Sequence, residues 1–341
     1  MNVEILTTSD TACLDFVQQF PSGKICHLPG WSIAVTQAAG LENFYLVAKD
    51  NNHICGVLPL VRAKSIIFGN FMVSQAFSDY GGPLVQSAEA CDILFNNAVE
   101  LANELHCEYI EFRNIEPLPY ELKLRSGKIC MYLPLISNTD EIWKSFKAKV
   151  RNQINKAQKS GITASDGHLE LLDDFYRVYT IRMHQLGTPA YPRRLMQNLL
   201  RAFPKNSRIV VVRLETLIIG AALTFCFNGF VEIPFASTLI QYNSLCPNNL
   251  LYWYIIKHYA LAGAKCFDFG RCTINSSTYD FKRQWGPQPV ELHYQYWTRP
   301  GHQLSILGPD NPKYKKKIEM WKRLPLWAAR LVGPCISRNL P

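Results

Sequence analysis

The sequence contains no C-x-x-C pair, no H-E-x-x-H or H-x-x-E-H spacing, no G-x-G-x-x-G or Walker A loop, and no G-x-S-x-G turn. Each absence removes a chemistry. The eight histidines never fall at ligand spacing with a cysteine or an acid, so no metal site is expected. Nucleotide loops and serine-nucleophile elbows drop out in the same way, and Gly81-Gly82-Pro83 reads as a turn. Long apolar runs are lacking too: the most apolar stretch, Ile209 to Phe227, is interrupted by Arg213 and Glu215, short of a membrane span. The N-terminus, Met1-Asn2-Val3-Glu4-Ile5-Leu6, has an early acid and no basic or long apolar segment, so no signal peptide is expected. The eleven cysteines are odd in number and stand singly in apolar surroundings such as Ile54-Cys55-Gly56, Phe225-Cys226-Phe227 and Lys265-Cys266-Phe267. They read as reduced thiols of a cytoplasmic protein.

What is present is a globular composition: 341 residues, 48% hydrophobic and 18% charged, a length suited to two domains. The net charge of +9 is concentrated in two places. Lys144 to Lys159 carries six cations and no acid, and Lys313 to Arg338 carries eight cations against Glu319 alone, leaving the remainder mildly acidic. Two local patches, not a general polycation, would meet an anionic partner.

An internal repeat organises the chain. A helical apolar stripe at 94, 98, 101, 102 and 105 precedes the strand Tyr109 to Arg113, and a second stripe at 251, 254, 255, 258 and 262 precedes the strand Cys266 to Phe269. Glu111 and Asp268 correspond at an offset of 157. Upstream, the hairpin containing Gly56 matches the hairpin containing Gly220 at an offset of 164, and Phe77-Ser78-Asp79 matches Phe235-Ala236-Ser237 at 158. The expected fold is mixed α/β, two copies of one unit, with domains at 1–137 and 138–300 and a basic amphipathic tail at 301–341. The loop Ile136 to Asp140 marks the boundary before a helix running from Glu141 to Gln158.

Two segments carry candidate chemistry. In the first, Trp143, Phe146, Val150, Ile154 and Ala157 form one helical face, and the cations, among them Lys149, Arg151 and Lys156, are left without ion-pair partners, which favours a phosphate-bearing ligand. A solvated basic face is the other reading. In the second, a strand ends at Asp268-Phe269-Gly270-Arg271, a polar loop follows, and Tyr279-Asp280-Phe281-Lys282-x-x-Trp285-Gly286 turns back toward a strand at Val290 to Trp297. Ligands of α/β sheets lie at strand C-terminal ends, which places Arg271 and Lys282 to meet an anion. A structural salt bridge such as Arg271 with Asp280 accounts for the same residues equally well.

Together, Trp143-x-x-Phe146, the run Lys149-x-Arg151-Asn152-x-Ile154-x-Lys156-Ala157-x-Lys159-x-Gly161, Asp268-Phe269-Gly270-Arg271, Tyr279-x-Phe281-Lys282-x-x-Trp285-Gly286 and Asp79-Tyr80-Gly81-Gly82-Pro83 resemble the FemAB-like family, especially its branch associated with the exosortase/PEP-CTERM exopolysaccharide system. The resemblance implies tandem GNAT-like (acyl-CoA N-acyltransferase) domains with a basic helical tail. It also implies an acyltransferase that joins an activated acyl donor to a lipid-linked or nucleotide-linked envelope precursor, of peptidoglycan or exopolysaccharide, at the cytoplasmic side of the membrane. Lys282 would then stabilise negative charge at the transfer centre beside Arg271, with Tyr279, Phe281, Trp285, Asp268 and Asn248 binding substrate. No tightly bound cofactor is expected. The donor is either aminoacyl-tRNA or acyl-CoA. The helical arm of several tRNA-dependent members is missing, and the stretch Tyr242 to Asn249 lacks the glycines usual in a CoA pyrophosphate loop. A non-enzymatic scaffold at the membrane surface is the remaining alternative. The tail, with Ile318, Trp321, Leu324, Trp327 and Leu331 among cations, is expected to touch an anionic membrane through its tryptophans, or else to pack them against the domain.

Overall fold

The computed structural model describes residues 1–7, 10–66, 68–304 and 315–340; Lys313 of the basic tail lies outside them. The chain divides into two compact units, each built on one mixed sheet.

The first unit comprises Met1–Gly127, Leu292–Ile318 and Val332–Pro341. Its strands run in the order Asn2–Leu6, Glu42–Asp50, His53–Ser65, Gly69–Val73, Tyr109–Asn114, His293–Thr298 and Lys123–Arg125, with Leu84–Val85 added beside His53–Ser65. All neighbours are antiparallel except Gly69–Val73 with Tyr109–Asn114. A parallel pair needs a crossover, and the helix Ala88–Glu104 supplies it, starting from a Ser87 cap that accepts from Ala90 N. That helix buries Leu94, Ala98 and Ala102 against Leu46, Leu58, Leu60, Met72, Ile110 and Phe112 of the sheet.

The second unit, Lys128–Glu291 with Glu319–Leu331, repeats the plan. Its order is Cys272–Thr273, Lys128–Pro134, Cys266–Asp268, Phe230–Thr238, Leu217–Phe227, Ser207–Leu214 and Ile162–Gly167, with Gln288–Glu291 also pairing with Lys128–Pro134. Phe230–Thr238 and Cys266–Asp268 are the parallel pair, and the helix Pro247–Leu261 is their crossover. It packs Leu251, Ile255 and Ile256 with Val150 and Ile154 of the helix Ala148–Lys159 over Val210, Val212 and Ile219.

The repeat holds at the level of register. Gly56 faces Ala48 and Gly220 faces Val212, and in each hairpin a bulge follows at once, after Ala48 and after Val212. Glu111 and Asp268 both lie on the second strand of the parallel pair, opposite Val73 and Glu232. The third expected pair fails. Phe235 is in a strand, whereas Phe77 lies in a turn beyond Val73 at φ 57°.

The boundaries also differ from those expected. Lys128–Pro134 belongs to the second unit and His293–Thr298 to the first. The single strand expected over Val290 to Trp297 is therefore two, Gln288–Glu291 and His293–Thr298, parted at Leu292 and joined to different sheets. Each unit takes one strand from the other's stretch of sequence.

The expected helix Glu141 to Gln158 is interrupted as well, into Thr139–Ser145 and Ala148–Lys159, because Phe146 and Lys147 are extended at ψ 144° and 145°. Extension drops Phe146 edge-on against Trp253 and Trp285, with ring centroids 5.6 and 5.1 Å apart. Aromatic contacts on both rings partly offset the helical hydrogen bonds forgone at the break. The eleven cysteines form no disulfide among the described residues, and six of them are buried. Among the described residues no helix is long and apolar enough to cross a membrane.

Candidate active site

The parallel pair of the second unit stays together for only three residues, Phe230↔Cys266, Val231↔Phe267 and Glu232↔Asp268. Beyond that point Phe235 to Thr238 pair with Gly220 to Leu223 on their other side, and the strand from Cys266 turns away. The sheet thus opens into a wedge at the C-terminal ends of its parallel strands, where α/β proteins place ligands.

The turn is built by two residues. Asp268, 2% exposed, accepts from Gly270 N through Oδ1 at 2.8 Å, and Gly270 takes φ 74°, a left-handed conformation that favours glycine. After the short strand Cys272–Thr273, Ser276 caps the helix Ser277–Arg283 by accepting from Tyr279 N. This helix points Lys282 back at the turn. Its Nζ donates to Gly270 O at 2.6 Å and to Arg271 O at 3.0 Å, with only 4% of the residue exposed. Among the described residues no carboxylate ion-pairs with it. Buried charges are ordinarily paired. Here two carbonyl dipoles hold the ammonium and leave its third N–H available.

Aromatic rings form the wall behind it. Trp285, one helical turn after Phe281, is 1% exposed and meets Phe146, Tyr252, Phe269 and Phe281 at centroid distances of 5.1, 6.1, 5.9 and 6.2 Å. Tyr252 stacks on Phe269 at 5.5 Å, and burial, with Asp268 close by, raises its phenol well above the usual range. Trp285 Nε1 is buried without a hydrogen-bond partner.

The structure therefore brings together Lys282, Asp268, Phe281 and Trp285. Arg271 joins them through its backbone carbonyl, its side chain being exposed. Asp280 lies 3.7 Å from Arg283, whose guanidinium also covers the half-buried Tyr279 ring at 5.7 Å. Asn248 is half-buried in the first turn of Pro247–Leu261, a helix that starts from Cys246 at φ 59° with no side-chain cap. Its neighbour Asn249 donates to Gln153 Oε1 at 3.2 Å, which ties that helix to Ala148–Lys159. On the latter, Lys149 and Lys156 are exposed. Arg151 is half-buried and turned inward: Nη1 donates to Lys144 O and Phe146 O at 3.0 and 3.1 Å, capping the interrupted helix before it. In this structure it fastens the backbone at the break.

Sequence reasoning missed a second feature. The first unit holds a cavity of about 420 Å³, lined among others by His27, Gly81, Gly82, Ser87, Arg113 and Asn114. Gly81 and Gly82 line it in place of the expected turn; a Cβ on Gly81 would meet Ser74 O at 2.3 Å, and one on Gly82 the Asn114 Oδ1 at 2.0 Å. The adjacent glycines just ahead of the strand Leu84–Val85 were the available signal. Arg113 and His27 at this cavity find their partners within the unit. Arg113 pairs with Glu111 at 2.7 Å and donates to Gln75 O and Ser78 O, and burial, with Lys24 nearby, pushes His27 down to about 4. Lys24 N donates to His27 Nδ1, so Nε2 carries the proton that Gly82 O accepts. Asn114 Oδ1 is buried without a partner.

Residues 144–283 match the family model described as an acetyltransferase (GNAT) domain, a span that contains the wedge, the turn and Lys282. No curated protein matches the chain. Among solved structures, the crystal structure of FemX superposes with a TM-score of 0.66 at 16% identity, over 86% of this chain and 97% of that one. L-PGS from Bacillus licheniformis gives 0.58 at 13%, over 97% and 99%. A tandem GNAT protein from the clavulanic acid biosynthesis pathway gives 0.51 at 11%, over 87% and 98%. The fold is thus the tandem GNAT fold, and with the matched domain the protein is an acyltransferase.

Proposed function

We propose that this acyltransferase moves an acyl or aminoacyl group from an activated donor to an amine of a cell-envelope precursor, with Lys282 as the electrostatic catalyst. The observation that carries the reading is the buried Lys282 ammonium, fixed on Gly270 O and Arg271 O, with no carboxylate among the described residues ion-paired to it. When the acceptor amine attacks the donor carbonyl, an N–C bond forms and the carbonyl oxygen becomes an oxyanion. A preorganised cation lowers that barrier. Collapse breaks the C–O or C–S bond of the donor, and the proton lost by the amine leaves with the departing oxygen or sulfur. The side chains of Arg271 and Tyr279 would contact the donor from the rim, Phe281 and Trp285 would shape the wall, and Asn248, Lys149 and Lys156 would meet its phosphates. The likeness to FemX and L-PGS supports the envelope acceptor, as does the motif resemblance, which further favours a precursor of peptidoglycan or of an exopolysaccharide in the PEP-CTERM system.

Two donors fit this chemistry. Aminoacyl-tRNA is favoured by the FemX-like fold, and the exposed lysines of Ala148–Lys159 would serve its backbone. Acyl-CoA is favoured by the matched GNAT domain and by the uncapped start of Pro247–Leu261, which can receive a pyrophosphate without glycine because Cys246 takes the left-handed conformation itself. Incubating purified full-length protein with each donor and with nucleotide-linked and lipid-linked precursors, and following products by mass, decides between them. Transfer from one donor that is lost in Lys282→Ala supports the proposal. Absence of transfer from either donor to any acceptor would favour a scaffold at the membrane surface and overturn it.

A further inference from the structure

The C-terminal tail folds as two helices, Lys315–Arg323 and Leu326–Ser337, interrupted at Pro325. Within the part that belongs to the second unit, Glu319–Leu331, the inward side is Trp321 and Ala329, 9% and 4% exposed. The outward side is Met320, Leu324, Trp327 and Leu331, exposed by 69, 37, 71 and 70%. Trp327 and Leu331, four apart within Leu326–Ser337, share one side of that helix, and Met320 and Leu324 stand four apart just ahead of the proline. Two hydrogen bonds fix this segment to the helix Leu172–Leu186: His184 Nε2 donates to Leu324 O at 2.8 Å, and Arg330 Nε donates to Thr180 Oγ1 at 3.0 Å. The two tryptophans therefore divide the expectations set by the sequence. Trp321 packs on its unit and Trp327 does not.

We infer that this face is a docking surface for an anionic lipid bilayer. Soluble surfaces rarely leave a row of large apolar side chains in water without a use for it. Lys322, Arg323 and Arg330 are exposed near the row, and Glu319, the one acid of residues 315–340, is held by Lys322 at 3.1 Å. An apolar row with a cationic border matches a phospholipid surface, in which Trp327 and Leu331 enter the acyl boundary while the cations remain at anionic headgroups. A second copy of the chain is a poorer match, because a self-complementary contact would bring the same cations face to face. The inference is independent of the acyl donor and acceptor.

The test is flotation of the full-length protein with phosphatidylcholine vesicles, with and without phosphatidylglycerol, at low and high salt. Binding is expected only with phosphatidylglycerol and should be released by salt. The double variant Trp327→Ser, Leu331→Ser, altered only at exposed positions, should keep its melting temperature and its acyl-transfer turnover on a soluble substrate while partitioning about tenfold or more weakly. Lys322→Glu with Arg323→Glu should abolish the preference for phosphatidylglycerol. Failure of the parent protein to float with these vesicles, equal partitioning of the Trp327/Leu331 variant, or a concentration-dependent dimer that these substitutions dissolve would overturn the inference. None of those results bears on the chemistry at Lys282.

Discussion

Gly56 and Gly220 occupy the same place in two different sheets: each faces the partner strand at the residue before a bulge, and each has side chains where its own would be. A Cβ on Gly56 would lie 2.9 Å from Leu94 Cδ1, and one on Gly220 would lie 2.7 Å from both Val212 Cγ2 and Thr238 Cγ2. Gly56→Ala and Gly220→Ala are therefore both expected to destabilise the protein, by about 1–3 kcal/mol each through overpacking. Urea unfolding measures this. An unchanged midpoint in either variant would show that its hairpin tolerates the added methyl and that the two glycines are not equivalent.

The cations of Ala148–Lys159 should separate by role. Arg151→Ala removes the donor to Lys144 O and Phe146 O and should cost about 1–2 kcal/mol. Lys149→Ala and Lys156→Ala, at exposed positions, should leave thermal stability unchanged and weaken binding of a polyanionic donor, with a shallower salt dependence. Melting curves and binding titrations over a range of salt concentrations on the three variants check both halves.

His27 gives a pH dependence of stability. Its pKa falls from an unperturbed 6.5 to about 4 in the fold, so between these values the unfolded chain binds more protons than the folded one. Stability is therefore expected to be complete above about pH 6.5 and to decline as the pH falls toward 4, by about 3 kcal/mol from this one group. Unfolding free energies measured at several pH values across that window, for the parent and for His27→Gln, should converge on a flatter profile in the variant. Equal slopes would place the loss elsewhere.

Much of this was legible in the residues, and the failures share a cause. The repeat could be read because bulge, glycine and crossover helix are local features carried by short spacings. The exchange of strands could not: Val290 to Trp297 shows that a strand is present, but the alternation of its side chains does not say which sheet it joins, and the break at Leu292 is set by tertiary packing. The helix break at Phe146 was hidden because Trp143, Phe146 and Val150 stay on one buried side whether or not the helix continues. Likewise Lys282 could be placed near Arg271 from sequence, but that it rests on the carbonyls of Gly270 and Arg271 follows only from the fold.

The most direct measurement is turnover and stability of Lys282→Ala side by side. Loss of the ammonium should lower turnover by about 100-fold or more, the scale of a lost oxyanion contact. It should leave the fold intact, at a cost of about 1–3 kcal/mol for the two carbonyls it releases. A variant that turns over at nearly the parent rate would contradict the account, for Lys282 would then be a fastener of the Gly270 turn and the oxyanion would be stabilised elsewhere.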